Sequence, residues 1–129
     1  MEIEEAIDTY LKSLSDLTDI IPVQSIGWVD KRQSTEYPRL VFRNISNPKL
    51  YEMPDRWQRW RFFIFAEDPF TCKAVGRLLD TKFEALYGNM GGLKMSYVTK
   101  LDFYDPEYDE DRQKYFLTMD YRFCFIKST

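Results

Sequence analysis

"DRWQRWRFFIFAEDPF", residues 55–70, sets three arginines, two tryptophans and four phenylalanines into sixteen positions. Arginines interleaved with aromatics can form a nucleic-acid surface, with bases stacked on the rings and guanidinium groups on the phosphates. They can equally form one strand of a sheet with an apolar face and a charged face. At period 2, Trp60, Phe62, Ile64 and Ala66 share one face, and Trp57, Arg59, Arg61, Phe63 and Phe65 share the other. The first face is continuously apolar and has to be covered by helices. The second carries arginines toward one end and phenylalanines toward the other. In a chain of net charge −3 these arginines are expected to pair with carboxylates of a neighbouring strand or subunit.

Composition narrows the function classes. The chain has 129 residues, enough for one domain with a real core, taken here as residues 1–129. Aromatics make up 17% of it, which excludes a disordered chain. The sequence pI is about 5.0, so the global basic field of a dedicated nucleic-acid binder is absent. The N-terminal stretch MEIEEAIDTYLKSL is acidic and amphipathic, unlike a signal peptide, and no apolar run is long enough to span a bilayer. A cytosolic chain with two reduced, buried cysteines, Cys72 and Cys124, is expected. Histidine is absent, which removes any His-based triad or zinc site. No catalytic motif, cofactor site or metal site stands out.

Outward from the opening stretch, the pattern alternates between helix and strand. Ile3, Ala6, Ile7, Tyr10, Leu11 and Leu14 make one helical face. Residues around Ile20, Ile21, Val23 and Ile26 suggest an extra extended segment, followed by a polar loop that ends at Pro38. RLVFRNI, residues 39–45, reads as a strand. Residues 47–55 then form a hairpin loop too long to be simple, with Lys49, Leu50, Tyr51 and Met53 at its tip; it reads as a partner contact. Asp68-Pro69 starts a second helix whose stripe is Cys72, Val75, Leu78, Leu79, Phe83 and Leu86. Gly88-Asn89 and Gly91-Gly92 end it in a flexible turn.

Two more strands follow. Met95, Tyr97, Thr99, Leu101 and Phe103 alternate with Lys94, Ser96, Val98, Lys100 and Asp102. Tyr115, Leu117, Met119, Tyr121, Phe123 and Phe125 alternate with Phe116, Thr118, Asp120, Arg122, Cys124 and Ile126. Between them lies the acidic connector DPEYDEDRQ, carrying Asp105, Glu107, Asp109, Glu110 and Asp111. It lacks the glycine and distal glutamate of a calcium loop. It reads as a solvated hairpin tip, with a subunit contact as the functional alternative. The expected fold is α+β: a two-layer sandwich with a mainly antiparallel sheet and two helices on one face, in the order α-β-β-α-β-β.

That order resembles the tail-completion proteins of long-tailed phages and prophages, the tail terminator and head-to-tail joining group. The resemblance rests on IEEAIDTYLKSL, YPRLVFRNIS, RWRFFIFAED, TCKAVGRLLDTKFEAL, KLDFYDPEYDED and YFLTMDYRFCF. It implies a structural, non-enzymatic virion protein without cofactors. Such a protein forms a homo-oligomeric ring, typically hexameric, at the head-proximal end of the tail, where it terminates the tube and joins it to the head connector. The implied partners are the tail-tube and head-connector proteins, with DNA only passing through the ring, no membrane, and assembly in the bacterial host cytoplasm. The interface residues expected on this reading are Lys49, Leu50, Tyr51, Met53, Arg59, Arg61, Asp105, Glu107, Asp109 and Asp111. A small nucleic-acid-binding module built on Arg56, Arg59 and Arg61 is the alternative.

Overall fold

The computed structural model describes residues 2–28, 37–45, 55–84 and 86–126. In chain order the elements are α1 (Ile3–Ser13), α2 (Ser15–Thr18), a 3-10 turn (Val23–Ser25), β1 (Ile26–Trp28), β2 (Arg39–Asn44), β3 (Asp55–Ala66), α3 (Pro69–Glu84), β4 (Gly88–Met90), β5 (Leu93–Phe103), β6 (Glu107–Asp109) and β7 (Lys114–Ile126). The strands form a single seven-stranded sheet in the order β1-β2-β3-β7-β5-β4, with β6 also on β7. Pairing is antiparallel except between β1 and β2. The fold class is α+β, as expected, but a sandwich of two helices and four strands is too simple. The described residues contain three helices and seven strands.

β3 lies inside the sheet, between β2 and β7. Its even positions Trp60, Phe62, Ile64 and Ala66 are buried, as the period requires. They share one core with Ile3, Ala6, Ile7 and Leu11 of α1 and with Cys72, Val75, Leu79 and Phe83 of α3. β7 contributes Leu117, Met119, Tyr121, Phe123 and Phe125 to that core, again the alternation read from the sequence. Phe83 is the centre of an aromatic cluster. Its ring centroid lies 4.9 Å from Tyr121, 5.3 Å from Phe62 and 5.3 Å from Phe123. Burying a side chain of this size contributes roughly 1.5–3 kcal/mol. Tyr10 stacks on the same ring from α1 at 6.1 Å.

α3 begins as its sequence predicts. Asp68 Oδ1 accepts the Thr71 backbone N–H at 2.8 Å, and the Thr71 hydroxyl donates to Oδ2 at 3.0 Å. These bonds, the backbone one foremost, hold the Asp68 carboxyl below its ordinary pKa. α3 then lies close on the sheet at Gly76, where a Cβ would fall 2.7 Å from Leu117 Cδ2.

Three features differ from the sequence reading. First, GNMGG is a hairpin rather than the helix end: α3 runs Pro69–Glu84 and Gly88 already belongs to β4. β4 and β5 pair from Gly88↔Met95 to Met90↔Leu93 around Gly91-Gly92. Both glycines have positive φ, 57° and 104°, a backbone that residues with a Cβ rarely adopt. A Cβ on Gly91 would stand 2.3 Å from the Ala6 carbonyl oxygen, so α1 packs directly on this turn. Second, β5 carries register shifts between Met95 and Tyr97 and between Lys100 and Asp102. Each adds one residue and inverts the alternation. Met95 is therefore buried and Val98 packs on the core, while Tyr97, assigned to the same face as Met95, is exposed. Third, the acidic connector contains β6, paired to β7 from Glu107↔Phe116 to Asp109↔Lys114.

The expected extra strand near residues 20–29 exists as β1, which runs parallel to β2 with Ile26 opposite Leu40. Lys49, Leu50, Tyr51 and Met53 lie outside the described residues.

Candidate functional site

The sheet face turned away from the helices carries the charge. On β3 it presents Arg59 and Arg61, and on β7 Asp120, whose side chain is 0% exposed. Arg61 and Asp120 are register partners across β3 and β7. Arg61 Nε donates to Asp120 Oδ1 at 2.8 Å and Arg61 Nη2 to Oδ2 at 2.9 Å, a bidentate pair. Arg59 approaches the same carboxylate diagonally, Nε to Oδ2 at 3.1 Å and Nη2 to Oδ2 at 2.6 Å.

Asp102 on β5 is the register partner of Asp120 on its other side. Two carboxylates directly opposite repel. Arg59 Nη2 lies between them and also donates to Asp102 Oδ2 at 2.5 Å. Burial alone would raise the Asp120 pKa; the hydrogen bonds from Arg61 and Arg59, and their charges, more than reverse this and hold it below the ordinary aspartate value. The hydrogen bond to Asp120 is the foremost cause that raises both arginines.

Of the two expected sources, a neighbouring strand or a subunit, the structure shows the strand: the carboxylates that bind Arg59 and Arg61 are Asp120 and Asp102 of the same chain. The nucleic-acid reading draws less support from Arg59 and Arg61, whose guanidinium groups are engaged by carboxylates of the same chain. The Arg56 side chain lies outside the described residues.

The phenylalanine end of the same face is a groove of about 390 Å³. Phe63, Phe65, Phe116 and Val41 form its floor. Phe63 and Phe65 are stacked at 6.4 Å and Phe116 lies 6.0 Å from Phe65. The Arg43 guanidinium lies over Phe63 at 5.6 Å and that of Arg112 over Phe65 at 5.1 Å. Part of this aromatic surface is thus covered within the chain.

The acidic tip is ordered by its own bonds. Asp109 Oδ1 accepts the backbone N–H groups of Asp111 and Arg112 at 3.0 and 3.3 Å. Asp109 Oδ2 pairs with Arg112 Nη1 at 2.7 Å. The hydrogen bond from Arg112 is the foremost cause that holds the Asp109 carboxyl below its ordinary value. Asp105, Glu107, Glu110 and Asp111 are exposed and have no basic partner within ion-pair distance among the described residues. Tyr104 and Tyr108 beside them are 44% and 51% exposed.

On the helix side, a recess of about 380 Å³ is lined by Asp80, Glu84, Lys100 and Tyr121. The Tyr121 hydroxyl donates to Asp80, and Lys100 Nζ pairs with Asp80 Oδ2 at 2.7 Å. Burial, with Asp80 behind it, pushes the Tyr121 phenol up. Cys72 and Cys124 are buried free thiols; burial pushes the Cys72 thiol up to about 11, far from a reactive thiolate. Among the described residues no group of three or more His, Cys, Asp or Glu is placed to hold a metal ion. Nor, among the described residues, is any helix long and apolar enough to cross a membrane.

A scan against protein-family models finds no match, and a search of curated proteins finds none. Solved structures do show likeness. The chain is similar in fold to a chain in the virion of a native gene transfer agent particle, with a TM-score of 0.69 at 10% identity, over 95% of this chain and 94% of that one.

Proposed function

We propose that the protein is a structural component of a phage-like virion: a ring at the head-proximal end of the tail that terminates the tail tube and joins it to the head connector. The observation that carries this reading is the fold likeness to a gene transfer agent virion chain along almost the full length of both chains. The residue patterns that resemble tail-completion proteins point the same way, independently of that likeness.

The chemistry is compatible with a scaffold. The most concentrated charge on the outer face is spent inside the chain, in the Arg59, Arg61, Asp102 and Asp120 network. Such a network fixes strand register. A protein of this kind works by presenting surfaces of fixed shape, and the groove and the acidic tip are two such surfaces.

The reading is tested by the mass of the purified protein in solution, measured by light scattering across a concentration series. A closed ring predicts a discrete species of several subunits that persists on dilution. A monomer at every concentration, alone and with purified tail tubes, contradicts it.

A further inference from the structure

We infer that the aromatic groove on the outer face receives the acidic tip of a second copy of this chain, residues 104–111. The inference rests on the ring reading above and names the contact that builds the ring.

The groove has a charge surplus of definite sign. Arg112 on its rim is paired with Asp109, so that wall is close to neutral. Arg43 on the opposite rim is exposed and has no carboxylate within ion-pair distance among the described residues. Its guanidinium lies on the Phe63 ring, with that ring and Phe116 partly open beneath. An occupant must therefore bring an apolar, preferably aromatic, group for the floor and a carboxylate for Arg43.

The tip brings both. Tyr104 and Tyr108 are half-exposed, and Asp105, Glu107, Glu110 and Asp111 around them are exposed and unmatched by any basic group among the described residues. The Asp109 bonds to the Asp111 and Arg112 amides fix the turn before it docks, so little ordering cost remains on contact. In a chain of net charge −3, the described residues gather carboxylates without a basic partner on this turn and leave Arg43 on the groove without a carboxylate. The two surfaces adjoin at Asp109, which lines the groove, but the docking groups differ: Arg43 and the phenylalanines on one, Tyr104, Tyr108, Glu110 and Asp111 on the other. A contact between unlike patches propagates from copy to copy and closes into a ring when the rotation allows.

Charge exchange tests the contact. Arg43→Glu and, separately, the double variant Glu110→Lys/Asp111→Lys are each expected to weaken self-association by about tenfold or more, because like charges then face each other. Both changes lie on exposed side chains, and circular dichroism checks that each variant folds. Combining all three changes in one chain restores opposite charges and is expected to return association to within about threefold of wild type, since a swapped pair recovers most of the coupling. Sedimentation velocity at low and moderate salt reads all four proteins. If wild type assembles and Arg43→Glu assembles equally well, this contact is wrong while the ring reading stands. A combined variant no better than its parents also overturns the contact, leaving the groove to a different partner. A wild-type protein that stays monomeric both alone and with purified tail tubes removes the ring reading and the contact together.

Discussion

Arg61 and Asp120 face each other in register across β3 and β7, joined by two hydrogen bonds of 2.8 and 2.9 Å on the sheet face away from the helices. Arg59 completes the site by bridging Asp120 to Asp102 on the next strand. Three strands are thus fastened to one buried carboxylate, and a slip of one residue in β3 would move both arginines to the apolar side.

The two sides of this network are unequal, and mutants should show it. Arg59 and Arg61 keep 33% and 28% of their side-chain surface exposed, whereas Asp120 keeps none. The double variant Arg59→Ala/Arg61→Ala strands a buried carboxylate and should cost roughly 3–5 kcal/mol. Asp120→Ala should cost less, because the freed guanidinium groups reach water. Urea titration of the two variants gives the ranking, and the opposite order would contradict it.

The same carboxylate sets an acid limit. The folded-state pKa of Asp120 lies below its unfolded value. Its contribution is therefore complete above about pH 4, the unfolded aspartate range, and is lost as pH falls through the lower folded value. Asp120→Asn should be less stable than wild type at neutral pH and lose less on acidification below pH ~4. Melting temperatures measured from neutral to acid pH decide this; parallel curves for the two proteins would contradict it.

Gly91 and Gly88 offer a matched pair of substitutions. Both have positive φ, but a Cβ at Gly88 meets open space and one at Gly91 meets the Ala6 carbonyl. Gly88→Ala should cost about 1–2 kcal/mol from backbone strain alone. Gly91→Ala should cost clearly more and expose α1 amides to hydrogen exchange. Equal costs would show that α1 does not depend on contact with the turn.

The acidic tip should be indifferent to calcium. Its carboxylates lack a calcium loop's spacing, and Asp109 is already engaged by Arg112. Melting temperatures with EDTA and with millimolar calcium should agree within about 5 °C, the scale of roughly 1 kcal/mol in a domain of this size. A larger shift would mean that the tip binds the ion.

How much of this was legible in the sequence depends on whether the signal was local. β3, β7, α1 and α3 declare themselves by period, and Asp68-Pro69 marks its helix start by known capping chemistry. The β5 faces did not, because each register shift inverts a strict alternation and leaves no residue signature in KMSYVTKLDF. β4 is hidden because GNMGG reads as a glycine helix stop, while in the structure it is a hairpin that follows the end of α3. Asp120 went unnoticed for a different reason. In TMDYRF it is simply the polar position of an alternating strand, and its meeting with Arg61 is fixed by a pairing 59 residues apart. The available hint was one acidic residue on a β7 face that would otherwise oppose Arg59 and Arg61 with Arg122 alone.

The most direct test of the proposed virion role is genetic. The gene is deleted from the element that encodes it, and the particles are imaged by electron microscopy. Termination and joining by this protein predict filled heads without tails beside tails of uncontrolled length, both corrected by supplying the protein in trans. Normal joined particles from the deletion would contradict the account.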